Sequence, residues 1–218
     1  MSFKYYDLLG KIVVGSVLLT LVLWYENVEN IPSYFSVAFL PIALVVGYFI
    51  DTIGAWLEGI YYRLMGGKPS REIFRKQAGT NYSGWGRVKF YKIDEINTIL
   101  IEDSEDEKFG TAMRIAYATL NSRSITFLEQ YNFSRSMTTL FVVIQVYFAC
   151  KIISNELLCN KSFDNEELLF IIAFVCTIVL FYRMKERAYF YVKEVLNDVL
   201  RPQQNNKKRA IWMLKVIK

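Results

Sequence analysis

Asp51 and Glu58 are the residues of this sequence best placed to do chemistry in an unusual setting. They sit in GYFIDTIGAWLEG (47–59), the end of a long apolar run that opens near Tyr34. Gly47, Asp51, Gly54 and Glu58 are spaced by four, three and four, which puts them on one face of a helix. That face is small or acidic. Phe49, Ile50, Ile53, Trp56 and Leu57 cover the rest. Counted from Tyr34 at ~1.5 Å per residue, Asp51 lies roughly 25 Å along, near the far boundary of a ~30 Å hydrocarbon layer. Glu58 follows ~10 Å later. A carboxylate at that depth is unfavourable against lipid and faces protein or water. Glycines on the same face permit close helix approach. The stripe therefore reads as a subunit interface or the wall of a hydrated pore, where rings of acid would favour cations. The simpler alternative is a carboxylate paired with Arg63 or snorkelling at the boundary. Gln145, in a later apolar run, is a weaker pore candidate, with an interhelical hydrogen bond as its alternative.

The helices that must position these groups are legible from composition. Of 218 residues, 53% are hydrophobic and 16% aromatic, both above the soluble norm, and the charges fall in blocks. Four apolar runs cover Ile12 to Tyr25 (extended back through Leu8), Tyr34 to Ile60, Met137 to about Leu158, and Leu168 to Tyr182. Each suits a membrane span of about 17–25 residues, the second being longer, so that its end projects or tilts, and the fourth short. Lys11 can snorkel to an interface. No small-x-small cleavage pattern follows Leu23, so the first run reads as a retained span.

ENVENIPS (26–33) and SNELLCNKSFDNEE (154–167) are acidic. The segment after the second run carries Arg63, Lys68, Arg71, Arg75 and Lys76. The tail from Arg183 carries ten bases against three acids. The positive-inside rule then places both termini and the long central segment in the cytoplasm. The expected fold class is an all-α membrane protein: four transmembrane helices with cytoplasmic helical extensions, or stalks. The expected parts are 1–62 (helices one and two), 63–136 (cytoplasmic helical part), 137–183 (helices three and four) and 184–218 (C-terminal helix and basic tail).

Within the cytoplasmic part, GGKPS (66–70) reads as the turn ending the second helix. RVKFYKI (87–93) suits a short strand or a helix start. Five acids in six residues (102–107) suit a solvated helix start. From about Thr111 one helix is expected to run without a break into the third span. The fourth helix is expected to end at Arg201-Pro202.

The sequence contains no histidine, which removes the commonest general base and metal ligand. Its three cysteines have no metal-ligand spacing. No motif sets a carboxylate beside a nucleophile. The chain is expected not to be an enzyme, with no metal and no cofactor. Arg71, Arg75, Lys76, Arg87, Lys89 and Lys92, interleaved with Trp85, Phe90 and Tyr91, combine cations for phosphates with rings for bases. This mix suits a nucleotide or single-stranded DNA. Anionic lipid headgroups at the inner leaflet are the competing partner.

YYDLLGKIVVGSVLL, GYFIDTIGAWLEGIYYRLMGGKPS and EQYNFSRSMTTLFVV together resemble small four-span membrane effectors of bacterial antiphage defence loci, in particular the channel effectors of Hailong systems. The resemblance implies a homo-oligomeric ion channel of the bacterial cytoplasmic membrane, with a tetramer as one arrangement. It also implies a nucleotidyltransferase-made oligodeoxyadenylate that holds the channel shut, so that loss of the ligand during infection opens it. It assigns no ligand residues.

Overall fold

In a computed structural model, the structure describes residues 3–25, 33–75, 92–102, 104–118, 123–157 and 165–216, with no strand among them. The helices are α1 (Phe3–Tyr25), α2 (Ser33–Met65), α3 (Pro69–Arg75), α4 (Ile93–Ile99), α5 (Glu105–Ala118), α6 (Arg123–Leu157) and α7 (Asn165–Val216). Four of them, α1, α2, α6 and α7, contain stretches long and apolar enough to cross a membrane, with mean hydropathy between 1.7 and 2.1. The chain is thus a multi-pass membrane protein by length and composition. It divides into two compact units, residues 1–61 with 129–184, and residues 62–128 with 185–218.

The first unit holds the apolar stretches of α1, α2, α6 and α7. Val14, Ile50, Leu140, Ile144, Phe148 and Ala173 form its core. The opposite side of α2 is bare: Phe49 is 67% and Trp56 79% exposed, as expected of side chains that meet lipid. Pro41 lies within α2. A proline inside a span is tolerated because neighbouring helices and local adjustments satisfy the freed carbonyl.

The second unit is built on Ile73 of α3, Ile93 and Ile96 of α4, Ala112 and Ala116 of α5, and Tyr189, Val195 and Leu196 of α7. The end of α2 belongs here, and the glycine pair fixes it. Gly66 and Gly67 have φ of 91° and 130°. Gly66 N–H donates to the Arg63 carbonyl (3.1 Å) and Gly67 N–H to the Tyr62 carbonyl (2.8 Å). These are the paired bonds of a Schellman motif, which favours glycine at the left-handed position. The turn expected at GGKPS is present.

Two helix boundaries differ from the sequence reading. The uninterrupted helix expected from Thr111 into the third span is two helices, α5 ending at Ala118 and α6 beginning at Arg123. Residues 119–122 between them lie outside the described residues. The start of α5 is separately fixed. Glu107 N–H donates to Ser104 Oγ (3.2 Å) and Ser104 Oγ donates to Glu107 Oε2 (2.8 Å), a Ser-x-x-Glu N-terminal cap. The second difference is that α7 continues past Arg201-Pro202. A proline forfeits one N–H bond. The turns just before it are held by buried Val195, Leu196, Val199 and Leu200, and the ladder resumes beyond. Of RVKFYKI, residues 87–91 lie outside the described residues, and Ile93 opens α4.

Candidate functional site

The glycine–carboxylate face of α2 turns inward within the first unit. Its glycines set how closely the neighbouring helices approach. A β-carbon on Gly47 would lie 2.0 Å from the Lys11 carbonyl oxygen, and one on Gly15 would lie 1.7 Å from that of Ala43. The backbones of α1 and α2 therefore touch at two places four residues apart on each helix. A β-carbon on Gly54 would meet the Thr139 hydroxyl of α6 at 2.8 Å. That hydroxyl donates to the Arg135 carbonyl (2.9 Å) and pairs with the Tyr61 hydroxyl (2.9 Å).

This close approach brings charges from three helices together. Arg135 of α6 donates from Nη2 to Asp51 Oδ1 at 3.0 Å, and its Nη1 lies 3.6 Å from Glu58 Oε1. One guanidinium thus spans both acids of the stripe, as its planar fork permits. Ser136 Oγ donates to Asp51 Oδ1 (2.8 Å), and Tyr131 OH donates to Glu58 Oε1 (2.7 Å). From α1, Lys11 Nζ lies 2.6 Å from Asp7 Oδ2 and 3.8 Å from Asp51 Oδ2. It also sits 4.4 Å from the centre of the Tyr48 ring. Two cations therefore serve three carboxylates. The cations are the better buried, at 11% and 12% side-chain exposure, while Asp51 and Glu58 keep 23% and 30%. Beside them is a polar cleft of about 20 Å3, lined by Asp7, Lys11, Asp51, Glu129, Asn132 and Ser136. That volume is about one water molecule. Glu129 Oε1 is buried there without a hydrogen-bond partner.

The stripe read from spacing is thus assembled, and its partner is Arg135, while Arg63 is exposed on α2. Sequence reasoning missed Arg135, Tyr131, Ser136 and Thr139, and it took Lys11 only as a snorkelling residue. The available signal was the lone arginine in FSRSMTT, at the mouth of the third apolar run. Gln145 takes its alternative role: Nε2 donates to Thr177 Oγ1 at 2.8 Å, and Thr177 Oγ1 donates to the Ala173 carbonyl.

In the second unit, Arg71 of α3 grips Asp106 of α5. Its Nε lies 3.1 and 3.2 Å from the two carboxylate oxygens, and Nη2 also bonds Oδ2. Lys68 Nζ stands 3.9 Å from the same carboxylate. Lys92 is exposed at the start of α4. The side chain of Arg75, and all of Lys76, Trp85, Arg87 and Lys89, lie outside the described residues.

The Arg71 hydrogen bond holds the Asp106 carboxyl below its ordinary value of 3.8, against the opposing effect of burial and with a lesser contribution from Lys68. A depressed carboxyl stabilises the fold above the unfolded-state value and loses that contribution as pH falls through the folded one. The α3–α5 contact should therefore be unchanged from neutral pH to about pH 4 and loosen below it. Hydrogen exchange of the α3 amides between pH 3 and 5 (corrected for intrinsic rates) reads this, and Asp106→Asn should flatten the profile. The effect should be small, because both side chains are more than two-fifths exposed.

Compared with protein families, curated proteins and solved structures, the chain matches none.

Proposed function

We propose that this protein is a homo-oligomeric, pore-forming membrane effector of bacterial defence, an ion channel of the cytoplasmic membrane with both termini inside. Its pore is controlled by a nucleotide or short oligodeoxynucleotide at the cytoplasmic part. The observation that carries the reading is the cluster Lys11–Asp51–Arg135–Glu58. Desolvating charges within apolar helices is costly, and a bundle held only by packing has no need of them. Ionisable groups in spans are by default functional. Asp51 and Glu58 keep enough exposure to act on ions in a hydrated path. The oligomer and the defence role rest on the family resemblance, and the ligand on it together with the basic residues. Such a ligand acts only through different affinities for the open and closed states.

The test is conductance of purified full-length protein in planar bilayers. Asp51→Asn and Glu58→Gln should each change cation selectivity or unitary current. If folded oligomer stays silent without ligand and with oligodeoxyadenylate, the channel reading fails. A non-conducting scaffold is the second reading. It is favoured by a specific observation: both acids are already paired with Arg135 of their own chain.

Polyanion binding faces the same kind of competition, because Arg71 is already engaged by Asp106. Asp106→Asn should therefore tighten salt-sensitive binding of single-stranded DNA if Arg71 is a contact. Unchanged affinity would place the ligand elsewhere.

A further inference from the structure

A second cavity of the first unit lies away from the charged cluster. Tyr25 follows Lys11 by 14 residues on α1, roughly 20 Å along the helix. There α1, α6 and α7 enclose an apolar crevice of about 260 Å3, lined among others by Leu18, Trp24, Tyr25, Tyr147, Leu169 and Ile172. An apolar void of ~150 Å3 already takes up benzene, so this one is large enough to be filled. Its aromatic end is ordered by edge-on contacts of Tyr25 with Tyr147 and Phe148, at 5.9 and 5.4 Å between ring centres.

Among the described residues, one charge stands at that end. The Lys151 ammonium sits 5.5 Å from the Tyr25 ring centre and 5.8 Å from that of Tyr147. It makes no ion pair with a carboxylate among the described residues. An apolar slot with an unneutralised cation at its aromatic mouth matches the two ends of an anionic amphiphile. Acyl carbon fills the slot, and the ammonium meets the phosphate. Aromatic and lysine side chains are placed in this way at membrane interfaces. We propose that the α1–α6–α7 crevice is a binding site for an anionic phospholipid, with one acyl chain between Leu18 and Ile172 and its phosphate on Lys151. The proposal is independent of the channel reading.

Trp24 lines the crevice and reports on it. The full-length protein is reconstituted in phosphatidylcholine vesicles carrying a fixed fraction of phosphatidylglycerol, with bromine on the acyl chains of one lipid or the other. The Trp24 contribution is the difference between wild type and Trp24→Phe. Brominated phosphatidylglycerol should quench it with roughly five-fold higher relative affinity than brominated phosphatidylcholine, the scale of one interfacial lysine. Lys151→Gln should bring the ratio close to one while leaving the protein folded. Ile172→Phe, which narrows the slot, should weaken quenching by both lipids. Equal quenching by the two lipids in wild type overturns the proposal. So does a preference that survives Lys151→Gln. Protection of Trp24 from both lipids would mean that a second copy of the chain covers the crevice, and would overturn it too.

Discussion

Replacing Arg135 by methionine should destabilise the membrane unit by about 3 kcal/mol or more, out of proportion to the loss of one side chain. Removing the cation leaves Asp51 and Glu58 facing each other's field with their shared cation gone. Breaking a desolvated pair by deleting one partner costs about 3–5 kcal/mol, because the remaining charge is uncompensated. The lower part of that range is expected here. Asp51 keeps Ser136 and a more distant Lys11, and Glu58 keeps Tyr131. The same logic predicts rescue. Arg135→Met combined with Asp51→Asn and Glu58→Gln should recover most of the loss, since neutral amides no longer need a cation. Arg135→Lys should recover only part, because one ammonium cannot reproduce the fork across both acids. Unfolding of detergent-solubilised protein, analysed as a mutant cycle, reads the coupling. Strictly additive losses would mean that the three residues do not act together.

That prediction marks where the sequence was readable and where it was not. Spacing along α2 shows which residues share a face, because helical periodicity is local. It does not show what the face meets. Arg135 lies 84 residues from Asp51, and that pairing depends on how α6 packs. Lys11 looked like a boundary residue for the same reason: its other partner, Asp51, is on another helix. Hydropathy alone identified all four spans, and the glycine pair at 66–67 marked the end of α2, since both signals are carried by contiguous residues. The acidic run at 102–107 was half legible. Ser104 and Glu107 form the helix start that the run suggested, but Asp106 also binds Arg71, 35 residues away. A residue taken as a free cation for phosphate is thus already in an ion pair.

The second large effect should come from adding a single methyl group at Gly15. In a helix, exchanging glycine for alanine normally stabilises by up to about 1 kcal/mol, through reduced backbone freedom in the unfolded chain and a better helical propensity. Gly59→Ala should follow that rule, because nothing lies within 4 Å of where its β-carbon would be. Gly15→Ala should reverse the sign. Its β-carbon would fall 1.7 Å from a backbone oxygen of α2, and a backbone cannot rotate aside as a side chain can. The helices must separate along the whole contact. That withdraws Gly47 from Lys11 as well, and weakens the reach of Lys11 to Asp51. A loss of about 3 kcal/mol is expected, at the upper end of what overpacking normally costs. Gly47→Ala should behave alike, and the double variant should cost much less than the sum, since the first substitution has already parted the helices. Thermal unfolding of the wild type and these four variants in one detergent decides the matter. If Gly15→Ala is tolerated as well as Gly59→Ala, α1 and α2 do not touch there. Asp51 would then be held by α6 alone.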